Sequence, residues 1–156
     1  MIGTIIEDKN YQAIMVSQIY EIIEYLLDQG QEFSVTANIK GVEFNPQIPS
    51  PISKKFPPFT LFALANYTYE TLELSEDAIT FEAGFGVENF GSFVTIPLYS
   101  IFQIVVDESI LFINPTATVP KFFKKTAVKK QSDQLDQKTR SMNAFKLNSL
   151  NKSLIE

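Results

Sequence analysis

The chain has 156 residues, 45% of them hydrophobic and 14 of them Phe, which is enough for one domain with a sizeable core and short for two. Cys and His are both absent, which excludes a disulfide framework, a thiolate or imidazole metal site and any nucleophile that relies on a His partner; no catalytic residue, metal or cofactor is expected. The net charge of −5 is uneven: residues 1–120 hold 15 Asp or Glu against 4 Lys, whereas residues 121–156 hold nine basic groups against three acidic ones, so a domain repelling phosphate backbones precedes a basic tail and no nucleic-acid partner is expected.

Residues 1–9 read as a flexible N-terminus. They carry Glu7 and Asp8, with no basic start and no small-residue cleavage site, so no secretory leader is expected and the cytoplasm is the expected compartment. An amphipathic helix is predicted next, capped by Asn10, running to Gln29 and stopped by Gly30. Ile14, Met15, Ile19, Ile22, Ile23, Leu26 and Leu27 recur at helical spacing, with Glu21, Glu24 and Asp28 on the wet side. This stripe is wide enough to face the core on one flank and a second protomer on the other. Met15, Ile19, Ile22, Ile23 and Leu26 are therefore candidate homodimer-interface residues, beside the plainer reading of a helix lying on its own core. No run approaches the ~18–20 uninterrupted apolar residues of a membrane span, and no membrane partner is expected.

The period then changes from 3.6 to 2. Phe33, Val35, Ala37 and Ile39 alternate with Ser34, Thr36 and Asn38, a half-buried strand, and Val42-Glu43-Phe44 resumes the sheet after Gly41. Pro46, Pro49, Pro51, Pro57 and Pro58 make the following stretch an exposed loop. Strands are predicted at Phe59–Ala65, Thr71–Leu74 and Ala78–Phe85, the last two joined by a tight Ser75-Glu76-Asp77 turn, and Tyr67-Thr68-Tyr69 reads as a strand edge. The glycine-punctuated loop Gly84–Gly91 lacks the spacing, the basic residue and the following helix of a phosphate-binding turn. Phe93–Ile96 is a strand ended by Pro97, and Leu98-Tyr99-Ser100 forms one helical turn. Phe102–Val106 and Ile110–Ile113 then pair across Asp107-Glu108-Ser109. One helix followed by short strands at this spacing predicts a mainly β domain over residues 10–120, a small, strongly bent sheet or partly open barrel.

Beyond Pro120 the pattern gives way to Lys, Gln, Ser and Asn, and residues 121–156 are expected to form a disordered basic tail. Its apolar residues near the end, Phe145, Leu147, Leu150, Leu154 and Ile155, are the only candidates for docking a partner there. Glu73, Glu76, Asp77 and Glu82 read as a solvated acidic rim, since carboxylates doing acid/base work need one member raised by burial.

Several runs occur together in order: Tyr25-Leu26-Leu27-Asp28-Gln29, Gly41-Val42, Leu72-Glu73-Leu74 with Asp77, Phe81 and Ala83 with Gly84-Phe85-Gly86, Val94-Thr95-Ile96-Pro97-Leu98, and Phe112 with Pro115. In this order and spacing, over roughly residues 14–115, the chain resembles the stringent starvation protein B family. The resemblance implies an Sm-like or SH3-like barrel preceded by a helix that mediates dimerisation. It implies a groove that holds the tag appended to stalled nascent chains, and a tail that docks on the ClpX unfoldase, so that tagged polypeptides reach the ClpXP protease. The implied groove residues are Phe81, Ala83, Gly84, Phe85 and Gly86 of the hairpin, with Phe44, Gln47 and Ile48 of the loop after Gly41-Val42. Small side chains at Ala83, Gly84 and Gly86 would leave room for a peptide main chain. Two segments depart from the family pattern: the loop from Asn45 to Lys55 is longer and richer in Pro, and the tail ends Ser153-Leu154-Ile155-Glu156, without the family's hydrophobic-basic docking end. The competing expectation is an Sm-like structural or assembly protein with no tag-binding groove.

Overall fold

The computed structural model describes residues 2–124. A short helix α1 (Ile2–Ile6) stands where the sequence predicts no element, and the main helix α2 runs Lys9–Asp28. Its N-cap is Asp8 rather than Asn10: the Asp8 carboxylate accepts the Asn10 backbone N–H at 2.6 Å, supplying one of the acceptors that a first helical turn lacks. The C-terminal stop is at Gly30, as expected. With φ +67° there, Gly30 N–H reaches the Leu27 carbonyl at 3.1 Å and Gln31 N–H reaches Leu26 at 2.9 Å, a Schellman closure. No atom lies within 4 Å of where a Cβ on Gly30 would sit, so only the backbone opposes a side chain. Gly30→Ala is therefore expected to lower stability by about 1 kcal/mol, a shift of a few degrees in thermal unfolding followed by circular dichroism. No change in the midpoint would show that this closure contributes nothing.

Among the described residues, eight strands form two four-stranded antiparallel sheets. β1 (Phe33–Asn38), β3 (Phe59–Leu64), β7 (Ile101–Val106) and β8 (Ser109–Ile113) make the first, in the order β3-β1-β7-β8. β2 (Glu43–Asn45), β4 (Glu73–Leu74), β5 (Ala78–Phe85) and β6 (Phe90–Pro97) make the second, in the order β2-β6-β5-β4. The chain passes from one sheet to the other through 3₁₀ turns at Ile39–Gly41 and Leu98–Ser100. β7 and β8 meet across Asp107 and Glu108, both at positive φ, the backbone of a tight two-residue hairpin. Two predicted boundaries move. A single turn, α3 (Ser50–Ser53), stands within the Pro-rich loop, and Tyr67–Glu70 forms one helical turn, α4, instead of a strand edge, leaving only Glu73–Leu74 to pair with Thr80 and Ile79. The compact unit also runs past Pro120 to Phe123, whose ring packs on Tyr99 with centroids 5.4 Å apart.

The core lies where the inward faces of both sheets meet α2. Val35 and Ala37 of β1, Phe62 and Leu64 of β3, Ile79 and Phe81 of β5, Val94 and Ile96 of β6, and Ile101 and Ile104 of β7 supply the sheet side. Ile19, Ile23 and Leu26 supply the helix side, and this corrects their reading as dimer-interface residues. They are 0%, 0% and 4% exposed because the chain's own sheets cover them. Met15 and Ile22 are half-buried, and the exposed large apolar residues of α2 are Ile14 and Tyr25, three turns apart.

Behind the core, Asn114 is a fully buried polar hub. Its Nδ2 donates to the Ile101 carbonyl at 2.9 Å, and its Oδ1 accepts from the Thr116 N–H at 3.0 Å and the Thr116 hydroxyl at 2.6 Å. Nearby, the Asn38 amide donates to the Ala117 carbonyl at 3.0 Å. Together these bonds hold the 3₁₀ turn Pro115–Thr118 against β1 and β7.

Candidate functional site

β5 pairs with β6 over its full length, from Ala78↔Pro97 to Phe85↔Phe90. On its other side β4 covers only Ile79 and Thr80, and from Phe81 to Phe85 no strand pairs with it among the described residues. The Glu82 N–H points to this open side, where it donates to the Thr71 hydroxyl at 2.9 Å. Alternate residues of a strand aim their main-chain groups at opposite edges, so the Glu82 carbonyl and both main-chain groups of Gly84 face the same way.

A groove of about 540 Å³ opens at this place. One wall is β5 and β6, with Glu82, Ala83, Gly84, Gly91, Ser92 and Phe93; the other is the segment after β3, with Ala65, Asn66, Tyr67 and Thr68. Pro46 and Asn89 complete the lining. Pro46 is fixed by its carbonyl, which accepts the Ser92 hydroxyl at 2.9 Å. Tyr67 donates its phenol to the Glu82 carboxylate at 2.8 Å and so clasps the two walls together. That bond, reinforced by the Glu82 charge, raises the Tyr67 phenol above its ordinary ionisation range.

Of the residues expected to build a groove, Ala83 and Gly84 line this one. Phe81 does not: its ring is 1% exposed and packs on Phe62 at 6.1 Å, because Ile79 and Phe81 of β5 point into the core. Ile48 is also buried, at 7% exposure. Phe44 and Phe85 are half-buried and pack on each other at 5.6 Å and on Phe56 at 5.7 and 5.9 Å, so the Pro-rich loop supplies their partner. Gly86 is likewise filled by that loop, since a Cβ there would meet the Ile52 side chain at 2.8 Å. Gln47 is exposed and lies outside the lining. The tail candidates Phe145, Leu147, Leu150, Leu154 and Ile155 lie outside the described residues.

Asn66, Tyr67 and Asn89 were missed as site residues. Asn66 and Asn89 stand at positive φ, +56° and +55°. Asparagine is the residue that most readily takes this conformation after glycine, so in sequence both look like turn formers and nothing more.

Among the described residues no cluster of three His, Cys, Asp or Glu could hold a metal ion, and no helix is long and apolar enough to cross a membrane. Compared with protein-family models and with curated proteins, the sequence returns no match. The reading of the site therefore rests on its own residues.

Proposed function

We propose that the chain is a non-catalytic peptide-binding module in which an extended polypeptide lies along the open edge of β5. The observation that carries this reading is the open side of β5 beside the groove, where the Glu82 carbonyl and both main-chain groups of Gly84 face outward, the Glu82 N–H being taken by the Thr71 hydroxyl, with Ala83 and Gly84 on the lining. A strand added there gains main-chain hydrogen bonds irrespective of its sequence, and micromolar binding corresponds to roughly 8 kcal/mol. The resemblance to the stringent starvation protein B family extends the proposal. The two bent sheets and leading helix are read as an Sm-like barrel, the ligand as a degradation tag, and the role as an adaptor handing tagged polypeptides to ClpX in the cytoplasm. What supports the adaptor role is the position of Ala83 and Gly84, the family's matched groove residues, on the lining.

The test is a titration of a labelled tag peptide into the full chain. Saturable binding is expected, weakened at least tenfold by Ala83→Gln, whose longer side chain takes up the groove. Because Ala83 is half-buried, a ligand-side control accompanies it: N-methylating alternate peptide bonds of the tag should abolish binding in one phase of alternation and not in the other. Equal tolerance of both phases would reject strand addition.

A second reading, an assembly role, has its own observation. The outward face of the first sheet presents the rows Leu61-Thr36-Gln103-Ile113 and Ala63-Ser34-Val105-Ile110 without one charged side chain. Leu61, Ile110 and Ile113 are each at least half exposed, and a second copy meeting this face would bury them. Sedimentation of the full chain should then show a dimer that Leu61→Glu converts to monomer. A wild-type monomer at high concentration would exclude this face as a homodimer contact.

A further inference from the structure

We propose that the groove selects an extended peptide that is basic or uncharged where it passes Glu82, with the side-chain amides of Asn66 and Asn89 holding its main chain; this rests on the peptide-binding reading above. Glu82 is the one ionised side chain of the lining, and among the described residues no lysine forms an ion pair with it. One Glu82 oxygen accepts the Tyr67 phenol, and among the described residues the other has no hydrogen-bond partner. An acidic residue brought here would meet this carboxylate with no cation to offset it, whereas a lysine or arginine would complete it.

Asn66 has φ +56° and ψ −128°, a region glycine enters freely and other residues enter at a cost. Its backbone is committed within the fold. The N–H donates to the Glu32 carboxylate at 2.9 Å, and the carbonyl accepts the Glu70 N–H at 2.9 Å. Glycine could make both bonds without strain. The asparagine side chain is exposed and has no hydrogen-bond partner among the described residues, so nothing there offsets its conformational cost. Asn89, across the groove, repeats the arrangement: positive φ, an exposed side chain lying against Gly84, and an amide with no hydrogen bond among the described residues. A carboxamide carries one donor group and one acceptor, the complement of a main-chain peptide unit, so it grips a polypeptide without reading its side chains. Two of them on one groove supply the sequence-tolerant hold, and Glu82 supplies the charge preference.

The experiment uses the full chain and three capped, labelled peptides in which runs of Lys, Gln or Glu are broken only by single Ser residues, so that adjacent registers both bring a variable residue to Glu82. By fluorescence anisotropy at moderate salt, the Lys peptide should bind about tenfold more tightly than the Glu peptide, with the Gln peptide between them. Glu82→Gln, which retains a partner for Tyr67, should shrink that gap severalfold. Asn66→Gly should raise the thermal midpoint and weaken all three peptides by a similar factor of about five. A Glu peptide bound as tightly as the Lys peptide, a gap undiminished in Glu82→Gln, or affinities unchanged in Asn66→Gly would overturn the inference while leaving the groove reading intact. Failure of every peptide to bind the folded chain would overturn the groove reading, and the inference with it.

Discussion

Phe81→Ala is expected to destabilise the domain by about 3–5 kcal/mol, a large part of the 5–15 kcal/mol that typically separates folded from unfolded states. The ring is among the largest fully buried side chains and stands edge-on to Phe62 across the two sheets. Its strand neighbours Ile79 and Val94 are themselves fully buried, so the surroundings are held from both sides and relax only partly into the space left. Urea denaturation should give a midpoint shift at nearly unchanged slope. The result also separates two roles for this position. A groove-lining aromatic would affect ligand affinity and leave stability nearly untouched, so a loss below about 1 kcal/mol would return Phe81 to the site.

How far such a role could be read in advance depended on what kind of information each residue carries. The helix through Asp28, its stop at Gly30, the Ser75–Asp77 turn and the β7–β8 reversal were legible because each rests on local periodicity or turn chemistry. The Tyr67–Glu70 turn was not, since aromatic and β-branched residues favour strands locally, while here α4 takes its place from contacts with β5 that lie far along the chain. Glycine gave partial information. Gly84 and Gly86 are expected to leave room for a peptide main chain, but a glycine does not say what approaches it. Asn89 fills the space at Gly84 and Ile52 the space at Gly86, both from the chain itself. The groove consequently lies toward Ala83 and the Ala65–Thr68 wall, away from Phe44, Ile48 and Phe85. That wall is absent from any local pattern, because Tyr67 and Glu82 meet only once the chain between them has folded back.

Asn114→Ala is expected to cost about 3 kcal/mol or more, because it strands several groups at once. The Ile101 carbonyl, the Thr116 N–H and the Thr116 hydroxyl each lose a bond where water does not reach, and a buried polar group left unpaired costs about 1–3 kcal/mol. Shape alone is a small part of this: Asn and Asp are nearly isosteric, so Asn114→Asp isolates the electrostatics. The introduced carboxylate would still accept from Thr116 but would face the Ile101 carbonyl with no proton to offer. Burial and that repulsion raise its folded-state pKa above the unfolded value. A raised pKa means the folded state binds the proton more tightly, so the variant gains stability relative to wild type as pH falls through that value and loses it as pH rises toward the neutral range. Urea midpoints of both proteins at pH 5 and pH 8 measure this directly. The deficit of Asn114→Asp should be larger at pH 8, whereas Asn114→Ala should show the same deficit at both. A pH-independent deficit in the Asp variant would mean that the site admits water, and that Asn114 is not the sealed polar hub joining β7 to the closing turn.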